Sequence, residues 1–81
     1  MIIRSQDKKK IYNFEQIRRI FVDTNMIIVD DVSILGEYST EEKAIKVLDM
    51  IQKAYSKANY YFISNGFVQN VVFEMPQDSE V

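Results

Sequence analysis

The side chains of this sequence that could bind a charged ligand are lysines and arginines near its beginning. The residues of this predicted anion site are Arg4, Lys8, Lys10, Arg18 and Arg19. Ammonium and guanidinium groups donate charge-assisted hydrogen bonds to phosphates and carboxylates, so their convergence would bind a nucleotide-like anion. A structural interpretation is also open, because lysines at the edge of a sheet prevent edge-to-edge aggregation.

Groups suited to catalysis are scarce. The chain has no histidine and no cysteine, which excludes a Ser-His-Asp triad, a Cys-His pair and a zinc site built from these ligands. The one cluster of carboxylates, Asp30 and Asp31 followed by Glu37, could supply an acid and a base or hold magnesium or calcium. Aspartates in a turn more often accept hydrogen bonds from backbone amides. We therefore expect no enzyme, no metal site and no cofactor.

Nucleotide-binding loops and nucleic-acid binding are also disfavoured. Gly36 and Gly66 are the only glycines, so neither a G-x-G-x-x-G motif nor a P-loop can be formed. Affinity for nucleic acid depends on neutralising phosphates, and the isoelectric point of about 5.0 argues against it. We expect no nucleic-acid partner.

The charge is divided unevenly along the chain. Residues 1–22 contain six basic and two acidic side chains, whereas residues 23–81 contain four basic and ten acidic ones. An acidic surface with an exposed tyrosine suits a protein partner, because charge steers association and tyrosine is enriched in binding hot spots. The residues predicted for interfaces are Glu37, Tyr38 and Tyr60 for a protein partner, and Phe67, Val68 and Val72 for self-association.

The first half of the chain has the pattern of short β-strands. Runs rich in β-branched and aromatic residues alternate with polar turns, which predicts strands over residues 1–5, 10–14, 20–22, 26–30 and 32–36. The spacing of Phe14, Ile17 and Ile20 breaks this alternation and predicts a bulge or one helical turn near residues 15–18. These elements would form an antiparallel meander.

The second half begins with a helical pattern. An apolar stripe recurs at helical spacing from Ala44 to Ala58, and Ser39 with Glu42 forms a capping-box pattern before it. The helix is predicted over residues 40–58 and ends at Asn59. Residues 60–64 and 67–75 are then predicted to pair as a hairpin around Asn65-Gly66.

The predicted fold is α+β: an antiparallel sheet, made of a five-strand meander plus a C-terminal hairpin, covered by one long amphipathic helix. Residues 1–76 would form a single domain, followed by a polar and frayed tail at residues 77–81. The chain carries no run of 18 apolar residues and no signal-peptide pattern, so we expect a soluble protein without a membrane partner, and the absence of cysteine favours a cytoplasmic location. Its small size and 47% apolar content predict a homodimer or larger homo-oligomer.

Three strings carry a resemblance to known sequences: MIIRSQDKK at residues 1–9, GEYSTEEKA at residues 36–44 and VLDMIQ at residues 47–52. With these strings the chain resembles small uncharacterised phage and prophage proteins of Gram-positive bacteria, although residues 23–33 are shorter than in that pattern. The resemblance implies a setting rather than residue roles. In that setting the chain would inhibit a bacterial defence component, by binding a host defence protein or by sequestering a phosphorylated nucleotide signal. The alternative is a self-assembling module without a small-molecule ligand.

Overall fold

The computed structural model describes the backbone of residues 1–65 and 71–81 and the side chains of residues 1–57 and 71–81. The strands are β1 Ile2–Arg4, β2 Ile11–Asn13, β3 Ile20–Asp23, β4 Met26–Val29, β5 Ser33–Glu37 and β6 Val72–Glu74. Within these described residues, one α-helix, α1, spans Glu41–Asn65, and short 3-10 helices span Phe14–Gln16 and Asp78–Glu80. The α+β class with one helix is confirmed, as are the positions of the first five strands.

The strands form two sheets of three, which corrects the predicted meander with a hairpin. One sheet has the order β2-β1-β6, in which β1 is antiparallel to β2 and parallel to β6. The other has the order β3-β4-β5 and is antiparallel throughout. The parallel pair joins residues about seventy positions apart, such as Ile3 and Phe73, a pairing that local sequence patterns do not encode.

The second correction concerns the helix, which continues to Asn65 instead of ending at Asn59. Residues 60–64 were predicted as a strand because tyrosine, phenylalanine and isoleucine favour strands, but this preference depends on context. The helical spacing of Ile51, Tyr55 and Ala58 also continues to Phe62. The predicted hairpin is therefore wrong. Of its second strand, residues 72–74 pair with β1, and residues 67–70 lie outside the described part of the chain.

The start of α1 differs from the prediction by one residue. The backbone amide of Lys43 donates to the Thr40 Oγ1 atom at 3.2 Å, so Thr40 is the N-cap. Ser39, predicted for that role, instead donates its backbone amide to Asp78 Oδ1 at 2.7 Å. The C-terminal residues therefore pack against the helix start and are not a frayed tail.

The core lies between α1 and the strands of both sheets. Its buried apolar residues are Ile3, Ile27, Val29, Leu35, Tyr38, Ala44, Val47, Ile51 and Met75. Leu35 is the extra residue of a bulge, because Ile27 pairs with Gly36 while Ile28 pairs with Ile34. Gly36 lets the backbone and the Tyr38 side chain approach closely there, since a Cβ atom would lie only 3.0 Å from the Tyr38 hydroxyl oxygen and would require Tyr38 to shift slightly.

Candidate functional site

The predicted basic residues are divided between the two sheets. Arg4 on β1 and Lys8 in the β1–β2 turn both face Glu74 on β6, with Lys8 Nζ 3.2 Å and Arg4 Nη1 3.9 Å from its carboxylate oxygens. The Arg4 guanidinium also donates to the Lys8 carbonyl oxygen at 3.1 Å. These two cations therefore already have an anionic partner on the neighbouring strand.

Arg18 and Arg19 precede β3 and lie beside the turn between β4 and β5. Their backbone amides donate to Asp30 Oδ1 at 2.9 and 3.1 Å, which confirms the interpretation of Asp30 as an acceptor for backbone amides. The Arg19 guanidinium pairs with the Asp31 carboxylate and lies over the Phe21 ring, 4.6 Å from its centroid. Asp30 and Asp31 both have positive φ angles, a conformation that aspartate tolerates better than most residues.

A groove beside β5 is the site that brings predicted residues together. We call it the β5 groove: it has a volume of about 410 Å³ and is lined by residues 32–37 on one wall and by Gln6, Asp7 and Lys10 on the other. It contains Lys10 from the predicted anion site and Glu37 from the predicted protein interface. The other four residues of the predicted anion site do not line it.

Gln6 fixes the position of the two walls. Its backbone amide donates to the Leu35 carbonyl oxygen at 2.8 Å, and its side-chain oxygen accepts from the Glu37 amide at 2.8 Å. The Gln6 Nε2 atom donates to the carbonyl oxygens of Glu37, at 3.0 Å, and Pro76, at 3.3 Å. Gln6 thus bonds to outward-facing backbone groups of β5 as a neighbouring strand would.

The β5 groove carries both signs of charge. The pKa of Asp7 is lowered, mainly because its carboxylate accepts hydrogen bonds from the Ser5 hydroxyl at 2.6 Å and the Lys9 amide at 2.9 Å. Asp7 therefore stays ionised at neutral pH and faces the same space as Lys10 and Glu37. A single anion would meet two carboxylates there.

Two aliphatic side chains are exposed on the β5 wall of the groove. Val32 is 85% exposed and Ile34 is 49% exposed. Sequence reasoning missed both, together with Gln6. The alternation of Ile34 with the buried Leu35 was a signal for an outward side chain, whereas Gln6 could not be found because its role depends on contacts with distant residues.

The predicted protein-interface residues have different positions. Glu37 is exposed at the end of β5, but Tyr38 is buried, with 2% of its surface exposed, and its hydroxyl donates to the Pro76 carbonyl oxygen at 2.9 Å. Burial, together with the nearby charges of Asp78 and Glu80, raises the pKa of Tyr38 to about 12. The prediction of Tyr38 as a surface anchor is therefore wrong. A tyrosine can be buried when its hydroxyl finds an acceptor.

The remaining predicted contacts are only partly visible. Val72 is exposed on β6, at the edge of the β2-β1-β6 sheet. The backbone of Tyr60 is helical, but its side chain lies outside the described part of the chain, as do Phe67 and Val68.

Metal-binding groups, membrane-spanning helices and related proteins complete the description of the candidate site. Among the described residues, no group of three or more acidic side chains is placed to hold a metal ion. Across the same residues, no helix combines the length and the apolar character needed to cross a membrane. Comparison of the chain with protein-family models, with curated proteins and with solved structures finds no match.

Proposed function

We propose that this chain is a non-enzymatic phage or prophage protein that binds a bacterial defence protein stoichiometrically and blocks it. The observation that carries the proposal is the β5 groove, where exposed Val32 and Ile34 lie beside Lys10, Asp7 and Glu37. Aliphatic side chains surrounded by charges of both signs are typical of surfaces that bind polypeptides.

The strand edge supplies a second reason for a polypeptide partner. Gln6 bonds to Leu35 and Glu37, which shows that backbone groups of β5 are directed into the groove. Gln6 already occupies the groups at Leu35 and Glu37, so an extended segment of a partner would add through its main chain to the remaining part of this edge, beside Val32 and Ile34, where pockets for its side chains provide specificity. Val32 and Ile34 would supply the apolar contacts in this arrangement.

Sequestration of a phosphorylated nucleotide is less well supported. A phosphate site needs several donors that converge without a competing carboxylate. Here Arg4 and Lys8 face Glu74, Arg19 pairs with Asp31, and Lys10 shares its groove with Asp7. Each of these four cations would have to leave or share an anion of its own chain to bind a ligand.

The resemblance to phage proteins supplies the proposed setting, a bacterial cell defended against phage. The test is to express the chain in bacterial strains that each carry one defence system and to challenge them with phage. We expect protection to fail in at least one strain. Unchanged protection across a broad panel would contradict the proposal.

In a strain whose defence system fails when the parent chain is expressed, the double variant Val32→Glu and Ile34→Glu should leave protection against phage intact. The variant places two charges on the apolar wall of the β5 groove and should no longer bind the defence protein. Ile45→Glu is the matched control, since Ile45 is 44% exposed but lies on α1. With the purified defence protein, inhibition should reach its end point at a fixed molar ratio. A turnover-like dependence on time at substoichiometric amounts would show an enzyme instead.

The alternative function is a self-assembling module without a small-molecule ligand. The observation that favours it is the apolar edge strand β3 on the opposite side of the same sheet, whose outer side is paired with no strand of the described residues. A chain that assembles but leaves protection intact in every strain would have this function.

A further inference from the structure

The strand β3 forms one edge of the β3-β4-β5 sheet. Its three apolar residues, Ile20, Phe21 and Val22, are each partly exposed, and no strand of the described residues lies on its outer side. An unpaired edge of this kind is a template for pairing with another chain, and natural proteins usually protect it with lysine, proline or a bulge. β3 contains neither residue, and its register with β4 is regular.

The hydrogen-bond pattern defines which backbone groups face outward. In an antiparallel pair, residues alternate between those that bond to the partner strand and those that bond away from it. Asp30 donates its amide to the Arg19 carbonyl oxygen at 2.9 Å, and the same register pairs Phe21 with Ile28 and Asp23 with Met26. The odd-numbered residues therefore bond to β4, and the amide and carbonyl groups of Ile20 and Val22 point away from the sheet.

The residues of this edge complement a second copy of themselves. If two β3 strands run antiparallel with Phe21 opposite Phe21, then Ile20 lies opposite Val22 and Arg19 lies opposite Asp23. The outward groups of Ile20 and Val22 then meet in pairs and can form four hydrogen bonds across the two-fold axis. Opposite charges are placed at both ends of the pair, which favours this arrangement.

Other registers lose this match. Only the even-numbered residues of β3 direct their amide and carbonyl groups outward. The register can therefore shift only in steps that keep an even-numbered residue of one copy opposite an even-numbered residue of the other. Shifting it one way places Arg18 opposite Val22, and shifting it the other way places Ile20 opposite Thr24. Both shifts separate Arg19 from Asp23, so charge complementarity selects the register centred on Phe21.

The surfaces on both sides of β3 also extend across such a pair. On the helix side, an apolar groove of about 410 Å³ borders the strand and is lined mainly by Phe14, Ile20, Leu48, Ile51 and Tyr55. On the other side, cross-strand pairing places Phe21 beside Ile28 and Ile28 beside Ile34 in one row. In a dimer, the partner copy would extend the apolar groove on the helix side of the sheet. It would also extend the row of Phe21, Ile28 and Ile34 on the opposite face.

We propose that two copies of this chain associate through β3, antiparallel and centred on Phe21, to form one continuous six-stranded sheet. The proposal does not depend on the β5 groove or on a defence partner. It places self-association on a different surface from the predicted Phe67, Val68 and Val72.

Sedimentation equilibrium of the intact chain tests the proposal. We expect twice the chain mass of 9.5 kDa at micromolar concentration. Arg19→Asp alone or Asp23→Arg alone places like charges at both ends of the pair and should weaken the dimer at least about tenfold. The double variant Arg19→Asp and Asp23→Arg should restore it, because the opposite charges face each other again.

The double variant also separates association from folding. Arg19→Asp removes the ion pair with Asp31 within the chain, and this loss persists in the double variant, so recovery of the dimer can come only from the contact between copies. Ile45→Glu on α1 should leave the dimer unchanged. A monomeric chain at about 100 μM, a dimer that tolerates both single reversals, or a double variant that stays monomeric would each overturn the proposal.

Disulfide formation gives a second and more local test, because the chain has no cysteine of its own. Phe21 would lie opposite its copy in a non-hydrogen-bonded pair, with Cα atoms about 4.5 Å apart, which a disulfide can span. Phe21→Cys should therefore form a covalent dimer on mild oxidation. Ile34→Cys should not, since five strand spacings would separate the two copies by roughly 24 Å. Equal cross-linking of the two variants would contradict the proposed register.

Discussion

The two edges of the β3-β4-β5 sheet differ in their contacts with the rest of the described chain. At the β5 edge, Gln6 bonds to Leu35 and Glu37, and the bulge at Leu35 interrupts the regular pairing with β4. At the β3 edge, the pairing with β4 is regular and the outward groups belong to apolar residues. A residue from the other sheet thus partly occupies one edge, whereas no strand among the residues that the structure describes pairs with the outer side of the other.

An edge strand can therefore be protected by a residue that lies outside the strand itself. Neither β5 nor β3 contains a lysine or a proline. What separates them is Gln6, which follows β1 in the sequence and reaches β5 only because of the fold. Its carbonyl oxygen also accepts from Gln77 Nε2 at 2.8 Å, so the C-terminal segment supports the same contact.

The stability of the chain should be most sensitive to β4, the central strand that pairs with both edge strands. Ile27 on β4 has no exposed surface, so Ile27→Ala should lower the free energy of unfolding by about 2 to 5 kcal/mol through lost burial and the cavity left behind. Ile28→Ala is the matched control, because Ile28 is partly exposed on the opposite face of the same strand and should cost less than about 1.5 kcal/mol. Urea denaturation measures both, and equal losses would show that the faces of β4 are assigned wrongly.

A pH-dependent effect should follow from Tyr38, which directly follows β5. Its pKa is about 12 in the folded chain, against 10.0 for an ordinary tyrosine. Below pH 10 the phenol is protonated in both states, and between pH 10 and 12 only the unfolded chain loses the proton. The stability contributed by the neutral phenol should therefore fall as pH rises through this window, by up to about 3 kcal/mol.

The control for that experiment is Tyr38→Phe, which cannot ionise at this position. The variant should be less stable at pH 7 by about 1 kcal/mol, because the hydrogen bond to the Pro76 carbonyl oxygen is lost. Its stability should, however, decline less steeply than that of the parent chain above pH 10. Parallel curves from denaturant titrations at pH 9 to 12 would contradict the raised pKa.

Removal of the Gln6 side chain tests directly whether Gln6 protects the β5 edge. Gln6→Ala eliminates the bonds to the Glu37 amide and to two carbonyl oxygens, and we expect a loss of about 2 kcal/mol. The variant should also aggregate faster than the parent chain in light scattering, because the β5 edge becomes open as well. Gln16→Ala, at an exposed position in the first 3-10 helix, should change neither property.

The smallest predicted effect lies where β5 leads into α1. Thr40→Ala removes the acceptor of the Lys43 amide and should cost about 0.5 to 2 kcal/mol. Ser39→Ala should cost less, because the main hydrogen bond from Ser39 to Asp78 is donated by the backbone amide, which alanine retains, and only a weaker side-chain contact with Asp78 is lost. Thermal unfolding of the two variants compares their stabilities. A larger loss of stability for Ser39→Ala than for Thr40→Ala would show that Ser39 is the N-cap, as the sequence pattern predicts.

Local patterns predicted those parts of the fold that depend on neighbours in the sequence. Alternation located the first five strands, and the stripe through Ala44, Val47 and Ile51 located the helix. The division into two sheets could not be predicted, because it depends on pairing between β1 and β6, at opposite ends of the chain. The end of the helix was missed because β-favouring residues continue its spacing.

The candidate site could be predicted only in part, for the same reason. Lys10 and Glu37 were each selected for charge, yet nothing in the sequence indicated that they share a groove. Tyr38 was selected for its residue type, which does not reveal that its hydroxyl reaches the Pro76 carbonyl oxygen. Gln6 occupies a predicted turn, where a polar residue raises no expectation of a tertiary contact.

The pairing of β1 with β6 has a consequence for the order in which the chain folds during synthesis. The β3-β4-β5 sheet and the first turns of α1 can form as soon as the start of α1 has left the ribosome, since these elements follow one another in the sequence and are joined by short connections. The strand β1, made first, cannot complete its sheet until β6, made last, has emerged. We expect the amides of β1 and β6 to become protected from exchange after those of β4 in a pulse-labelling experiment, and simultaneous protection would contradict this order. Until β6 emerges, the nascent chain would therefore carry an unfinished second sheet.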